Sequence, residues 1–160
     1  SHLWIKNDQK VPVYVPVDAT LVAGTKYIED GDLNYLFFFD VSCEVEIKYD
    51  HIEEPVKIIA DMFPNPPKSD TRTDYLAKTQ FKAGDLIGYT TGTPQAKNWD
   101  FGVYNKAKLN HLNGNHKYEE LDWRAGCPYD YFTTDMKKFY YNLFVSVTGD
   151  GAPSTDFCKA

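Results

Sequence analysis

The chain has 160 residues, 42% of them hydrophobic and 16% aromatic, with twelve Tyr and ten Phe; that is ample material for a packed core and excludes intrinsic disorder. A net charge of −6 excludes the basic face that a nucleic acid or an anionic membrane surface requires. The longest apolar run, Tyr35-Leu36-Phe37-Phe38-Phe39, is far too short to span a bilayer. The opening residues are polar apart from Leu3, Trp4 and Ile5, and show no signal-peptide pattern, which is compatible with the earlier removal of a leader. Residues 11–22 read as two short strands broken by Pro16-Val17-Asp18-Ala19, and Pro12 and Pro16 confine them to a sheet edge or a strand start. Residues 24–34 read as a turn-rich hairpin around Glu29-Asp30-Gly31-Asp32.

Residues 35–50 carry the strongest strand signal. Val41, Cys43, Val45, Ile47 and Tyr49 alternate with Glu44, Glu46 and Lys48, so the spacing predicts an apolar face and a solvated face. The period then changes. Pro55 suits a first helical turn, and Val56, Ile59, Ala60 and Phe63 recur at helical spacing. Residues 64–74 form a proline-rich loop. In residues 80–104, Ala83-Gly84-Asp85 is a tight turn, Leu86 and Ile87 open a strand, and Gly88 and Gly92 bracket the next turn. In the strand that follows, Trp99, Phe101 and Val103 alternate with Asp100, Gly102 and Tyr104. Residues 105–122 read as a surface loop. Thr133-Thr134-Asp135 is an N-cap signature for a C-terminal helix through Met136, Phe139, Tyr140, Leu143 and Phe144. The expected architecture is a single mostly-β domain over residues 1–160. It has a small β-sandwich or flattened barrel over 11–104, a loop over 105–126 and a helical C-terminal segment over 127–160, with one short helix inserted mid-chain.

None of the cysteines, Cys43, Cys127 and Cys158, has metal-finger spacing. A Cys127–Cys158 bridge would tie down the C-terminal tail and would imply an oxidising compartment. Cys43, in a strand-like run, is expected to be a buried apolar residue.

The order of elements resembles the lysostaphin-type (LytM-like) zinc endopeptidases. Val13-Tyr14-Val15-Pro16-Val17-Asp18-Ala19-Thr20-Leu21-Val22 stands where that family has "G-T-P-V-x-A-P-x-D-G-x-V". Tyr49-Asp50-His51-Ile52 stands for its "Y-x-H-L", and Phe81 to Gly92 for its glycine-punctuated "V-x-x-G-D-x-V" segment. The resemblance covers residues 11–104 and implies the duplicated-hybrid-motif β-sandwich, related to lipoyl-carrier domains. In the family, zinc is held by an "H-x-x-x-D" pair near the start and by the second His of "H-x-H" in the last strand. Here Asp100 and Gly102 stand at those two last-strand positions, and only His2 and Asp8 are available at the start, at a different spacing. A catalytic zinc needs three protein ligands. The resemblance therefore implies a degenerate metal site, with zinc as the only cofactor it brings into question.

His51 matches the family's histidine that assists the reacting oxygen, and it is the one candidate catalytic residue. With Asp100 and Tyr104 it would form a polar ligand cleft; alternatively, His51 caps the helix start and Asp100 orients it. His111 and His116 lie in a polar loop at a spacing that fits no metal pair. Trp99, Trp123 and the tyrosines could offer a sugar-stacking surface, although core positions account for most of them. The expected function is a secreted, periplasmic or cell-surface domain with a binding or structural role at the cell envelope, towards cell-wall glycan or peptide, without peptidase activity. The alternative is a hydrolase remodelled around His51 and Asp100.

Overall fold

In the computed structural model, residues 1–6, 9–115, 117 and 119–143 are described. They divide into two units, Ser1–Ala125 and the chain from Gly126 onward. In the first unit the strands are β1 (His2–Trp4), β2 (Val11–Tyr14), β3 (Ala19–Glu29), β4 (Asp32–Asp40), β5 (Val45–Ile52), β6 (Glu54–Pro55), β7 (Asp74–Phe81), β8 (Leu86–Thr90) and β9 (Asn98–Asn105). Helix α1 (Lys57–Ala60) follows β6, and α2 (Glu120–Trp123) follows β9. A large antiparallel sheet runs in the order β1-β9-β5-β4-β3-β7, and a small one in the order β2-β8-β6. Neither sheet closes on itself, so the mostly-β expectation holds and the flattened barrel does not form.

Alternation along the strands sorts the side chains between two faces. Phe37 and Phe39 of β4 lie opposite Tyr49 and Ile47 of β5, and all four are buried. Their rings meet edge to face: Phe39 lies 5.6 Å from Tyr49 and 5.5 Å from Phe81, and Tyr49 lies 5.4 Å from Phe101. Ile52, Ile87 and Val13 extend this core to the small sheet, where the Tyr49 hydroxyl donates to the Tyr14 carbonyl at 3.3 Å. The opposite face of the large sheet carries the pairs Asp50–Asp100, Lys48–Gly102 and Glu46–Tyr104 between β5 and β9, and Phe38–Lys48 between β4 and β5. That outer face holds the polar residues singled out in the sequence.

Several elements depart from expectation. Residues 35–50 are two strands. The Ser42 hydroxyl accepts the N–H groups of Glu44 and Val45 at 3.2 and 3.1 Å, which closes a turn after Asp40. Cys43 sits in that turn, exposed and free, because the strand it was assigned to ends before it. The hairpin region is mostly strand: β3 runs eleven residues and turns through Asp30 (φ 51°) and Gly31 (φ 92°) alone. The mid-chain helix begins only at Lys57, since Pro55 is spent in β6, and it seats Ile59 in the core. Gly88 lies within β8, where a Cβ would come 2.8 Å from the Glu54 carbonyl. Gly84, in the expected tight turn, takes positive φ, and so does Gly92. Strand β7 went unforeseen because its residues alternate weakly on an exposed edge.

In the second unit, a 3₁₀ turn (Pro128–Tyr131) leads to α3 (Thr134–Leu143). Thr133 caps it, its hydroxyl accepting the Met136 N–H at 3.4 Å. Tyr140 packs on Phe132 and Tyr129 at 5.3 and 5.7 Å. Phe144 and Cys158 lie outside the described residues, and with them the Cys127–Cys158 bridge.

Candidate functional site

The site is built on an irregularity at the end of β5. Tyr35 lies opposite Ile52 but Phe37 lies opposite Tyr49, so Asp50 and His51 together face Leu36 alone. This is a β-bulge, and His51 takes it up with φ 61°. A bulge redirects side chains that strict alternation would send to opposite faces, and His is among the few residue types that tolerate this backbone. Both Asp50 and His51 therefore join the polar outer face.

Asp50 is buried, yet every oxygen is met. Its Oδ1 accepts the Tyr27 hydroxyl at 2.6 Å and the His51 backbone N–H at 2.9 Å, and its Oδ2 faces Lys48 Nζ at 3.0 Å. Burial alone would lower the Lys48 pKa, but the charge and hydrogen bond of Asp50 outweigh it, and Lys48 is held above its ordinary value. Burial, then the Asp50 charge and hydrogen bond, push the Tyr27 hydroxyl far up, so it stays protonated.

That arrangement fixes the imidazole. Nδ1 of His51 lies 3.2 Å from the Tyr27 oxygen and 3.2 Å from Glu29 Oε2. The only proton on Tyr27 points to Asp50, and Glu29 is an acceptor, so both partners require a donor at Nδ1. Neutral His51 thus carries its proton on Nδ1 and keeps a lone pair on Nε2. Nε2 faces Asp100 Oδ2 at 3.9 Å. The other Asp100 oxygen, Oδ1, lies 2.6 Å from Nδ1 of His2, which β1 brings opposite Asp100. The ring is not aligned for donation there, and Oδ1, although buried, accepts no hydrogen bond among the described residues.

His51 and Asp100 therefore come together as the sequence suggested, with His2 beside them. Tyr104 shares the face, close enough to Asp100 and Lys48 for their charges to act on its hydroxyl, and lies over Gly102: a Cβ on Gly102 would come 3.0 Å from Tyr104 Cε2 and 3.1 Å from its hydroxyl. Burial raises the Tyr104 pKa against the opposing pull of Lys48. The reading of His51 as a helix cap also fails, because Val56 occupies the N-cap position five residues later. Tyr27, Glu29, Lys48 and Asp50 were missed by the sequence reading; an acid immediately before His51 was the one visible signal.

The residues do not fit the zinc that the resemblance brings into question. At Gly102 there is no side-chain donor, and the outer end of the Tyr104 ring lies 3.0 Å from where a Cβ would stand. Asp8 and His116 lie outside the described residues, and His111 is exposed on its loop. Among the described residues, no three His, Cys, Asp or Glu side chains are gathered for a metal ion. The remaining chemistry is a group of acceptors, Nε2 of His51 in its neutral form and the oxygens of Asp100, held on a sheet face by a tyrosine, two carboxylates and a lysine. No family model, curated protein or solved structure matches the chain.

Proposed function

We propose that this chain is a catalytically degenerate, endopeptidase-like binding domain that works outside the cytoplasm, at the cell envelope. The observation that carries this reading is the Tyr104 ring lying over Gly102, where the resembled peptidases require an imidazole. What remains of the site accepts hydrogen bonds, so it suits a ligand rich in donors, such as the amides of a cell-wall peptide or the hydroxyls of a glycan. Metal loading followed by elemental analysis tests the reading, with pentaglycine as the peptide substrate. The expected result is no stoichiometric zinc and no cleavage. One tightly held zinc per chain with pentaglycine cleavage would overturn it.

A second reading, a remodelled hydrolase, is favoured by a different observation. The Tyr27–Asp50 pair orients His51 with an unprotonated Nε2, which is what a general base needs. On this reading His51 removes a proton from water or a hydroxyl, and Asp100 steadies the imidazolium that forms. Its test is turnover on a peptide and ester panel with His51→Ala alongside the parent. Activity lost in the variant supports a hydrolase, and activity equal in both removes it.

A further inference from the structure

The outer face of the large sheet does not end at His51 and Asp100. Across β5, β4 and β3 it leads to a groove of about 290 Å³, whose lining includes Phe38, Glu46, Asp74, Tyr75 and Leu121. We infer that this groove binds a neutral oligosaccharide, with the Tyr75 ring as the platform for one sugar and Glu46 and Asp74 as acceptors for its hydroxyls. The inference rests on the binding reading above but uses none of the residues of the His51 cluster.

Tyr75 is 94% exposed although it lies within a strand. Its position has a structural cause. Leu21 of β3 lies opposite Thr79 but Ala23 lies opposite Tyr75, so Leu76, Ala77 and Lys78 bulge against Val22 alone. The bulge carries Tyr75 to the rim of the groove, opposite the small Ala23, which leaves the ring face uncovered. Phe38 and Leu121 supply further apolar surface. A flat aromatic face flanked by hydrogen-bond acceptors matches a pyranose, which has an apolar C–H face and hydroxyls around its edge.

Charge selects among the ligands that could stack on Tyr75. Asp74 faces Lys68 Nζ at 2.7 Å, and Glu46 faces Lys106 Nζ at 3.3 Å. Lys106 also holds Asp40 at 3.0 Å. An anionic ligand would meet two carboxylates, Glu46 and Asp74, whose lysines are already engaged. A cationic peptide would have to compete with those lysines. Hydroxyl donors need only the lone pairs that the ion pairs leave free. Burial raises the Glu46 pKa against the pull of Lys106, which further disfavours a charge-driven site. The volume lies at the lower end of ligand pockets, which suits one or two sugar rings of a longer chain.

The test is titration of the whole protein with chitotetraose and with cellotetraose, followed by calorimetry and by aromatic-proton NMR. At least one should bind with a dissociation constant below a millimolar. Tyr75→Ala should weaken that binding at least about tenfold, while Tyr75→Phe, which keeps the platform, should stay within about twofold. Because Tyr75 is exposed, both variants fold, and their thermal transitions serve as the check. Binding unchanged by Tyr75→Ala, no binding of either tetrasaccharide at millimolar concentration, or binding of tetralysine in their place would overturn the inference. Sugar binding that survives Tyr75→Ala overturns the groove but leaves the reading at His51 standing, whereas zinc uptake with pentaglycine cleavage overturns that reading alone, so the two failures are separable.

Discussion

Replacing Tyr27 with Phe removes a single oxygen that has two duties: it donates to buried Asp50 and accepts from His51 Nδ1. A hydrogen bond to a charged group contributes about 1.5–3 kcal/mol. Asp50 Oδ1 retains the His51 N–H and Oδ2 retains Lys48, so no oxygen is left wholly unmet and the loss belongs in the lower half of that range, about 2 kcal/mol. For a unit of 125 residues this lowers the unfolding midpoint by roughly 6–10 °C. Urea unfolding followed by tryptophan fluorescence measures the energy. Long-range ¹H–¹⁵N spectra of the imidazole measure the second effect. In the parent, neutral His51 should show a single Nδ1–H tautomer. In the variant only the half-exposed Glu29 remains to enforce it, and a mixture should appear. A stability change below about 0.5 kcal/mol, or an Nε2–H tautomer in the parent, would refute the network as described.

Other expectations concern glycine packing, an acid and the cysteines. A Cβ at Gly24 would sit 2.5 Å from the Leu36 carbonyl and 3.0 Å from the Phe63 ring, so Gly24→Ala should cost about 3 kcal/mol in urea unfolding. Gly102→Ala should cost clearly less, since the nearest atoms there belong to the outer end of the Tyr104 side chain; equal losses would contradict both contact assignments. Burial raises the Glu46 pKa above its ordinary value of 4.5, so the folded state favours its protonated form. Its stabilising contribution is present below 4.5 and is lost as pH rises through the folded value. Glu46→Gln should therefore gain stability relative to the parent between pH 4 and neutrality, and a flat or falling difference would count against it. Native protein should react with a thiol reagent at exposed Cys43, and unfolded, unreduced protein should yield one thiol if Cys127 and Cys158 are bridged. Three thiols would remove the bridge and the compartment drawn from it.

Much of the frame was legible because it rests on local chemistry. Gly84 and Gly92 punctuate β8 with the positive φ that only glycine adopts freely, and Thr133 announces α3. The shared face of Asp100, Gly102 and Tyr104 follows from the two-residue strand period alone. The turn at Val41–Glu44 was obscured because Val41, Cys43 and Val45 continue the apolar alternation, and only the Ser42 hydroxyl marks the break. The polar network was hidden for a different reason. Glu46, Lys48 and Asp50 look like a solvated stripe, but the sheet brings Asp100, Tyr104 and Tyr27 against them and leaves Asp50 buried. Local residue preference does not disclose such long-range pairing, nor does it signal the bulge that turns His51. Tyr75 was passed over because its strand has almost no periodic signature.

His51 also occupies the seam at which the backbone leaves one sheet for the other. β5 ends one residue beyond it, the His51 carbonyl accepts the Thr90 hydroxyl of β8 at 2.7 Å, and the Glu53 amide donates to the Tyr89 carbonyl at 3.1 Å. A ligand that grips the imidazole therefore clasps both layers at once. Its occupancy should slow amide exchange in β8 as much as in β5, so that a small molecule on the outer surface is felt as a rivet through the interior.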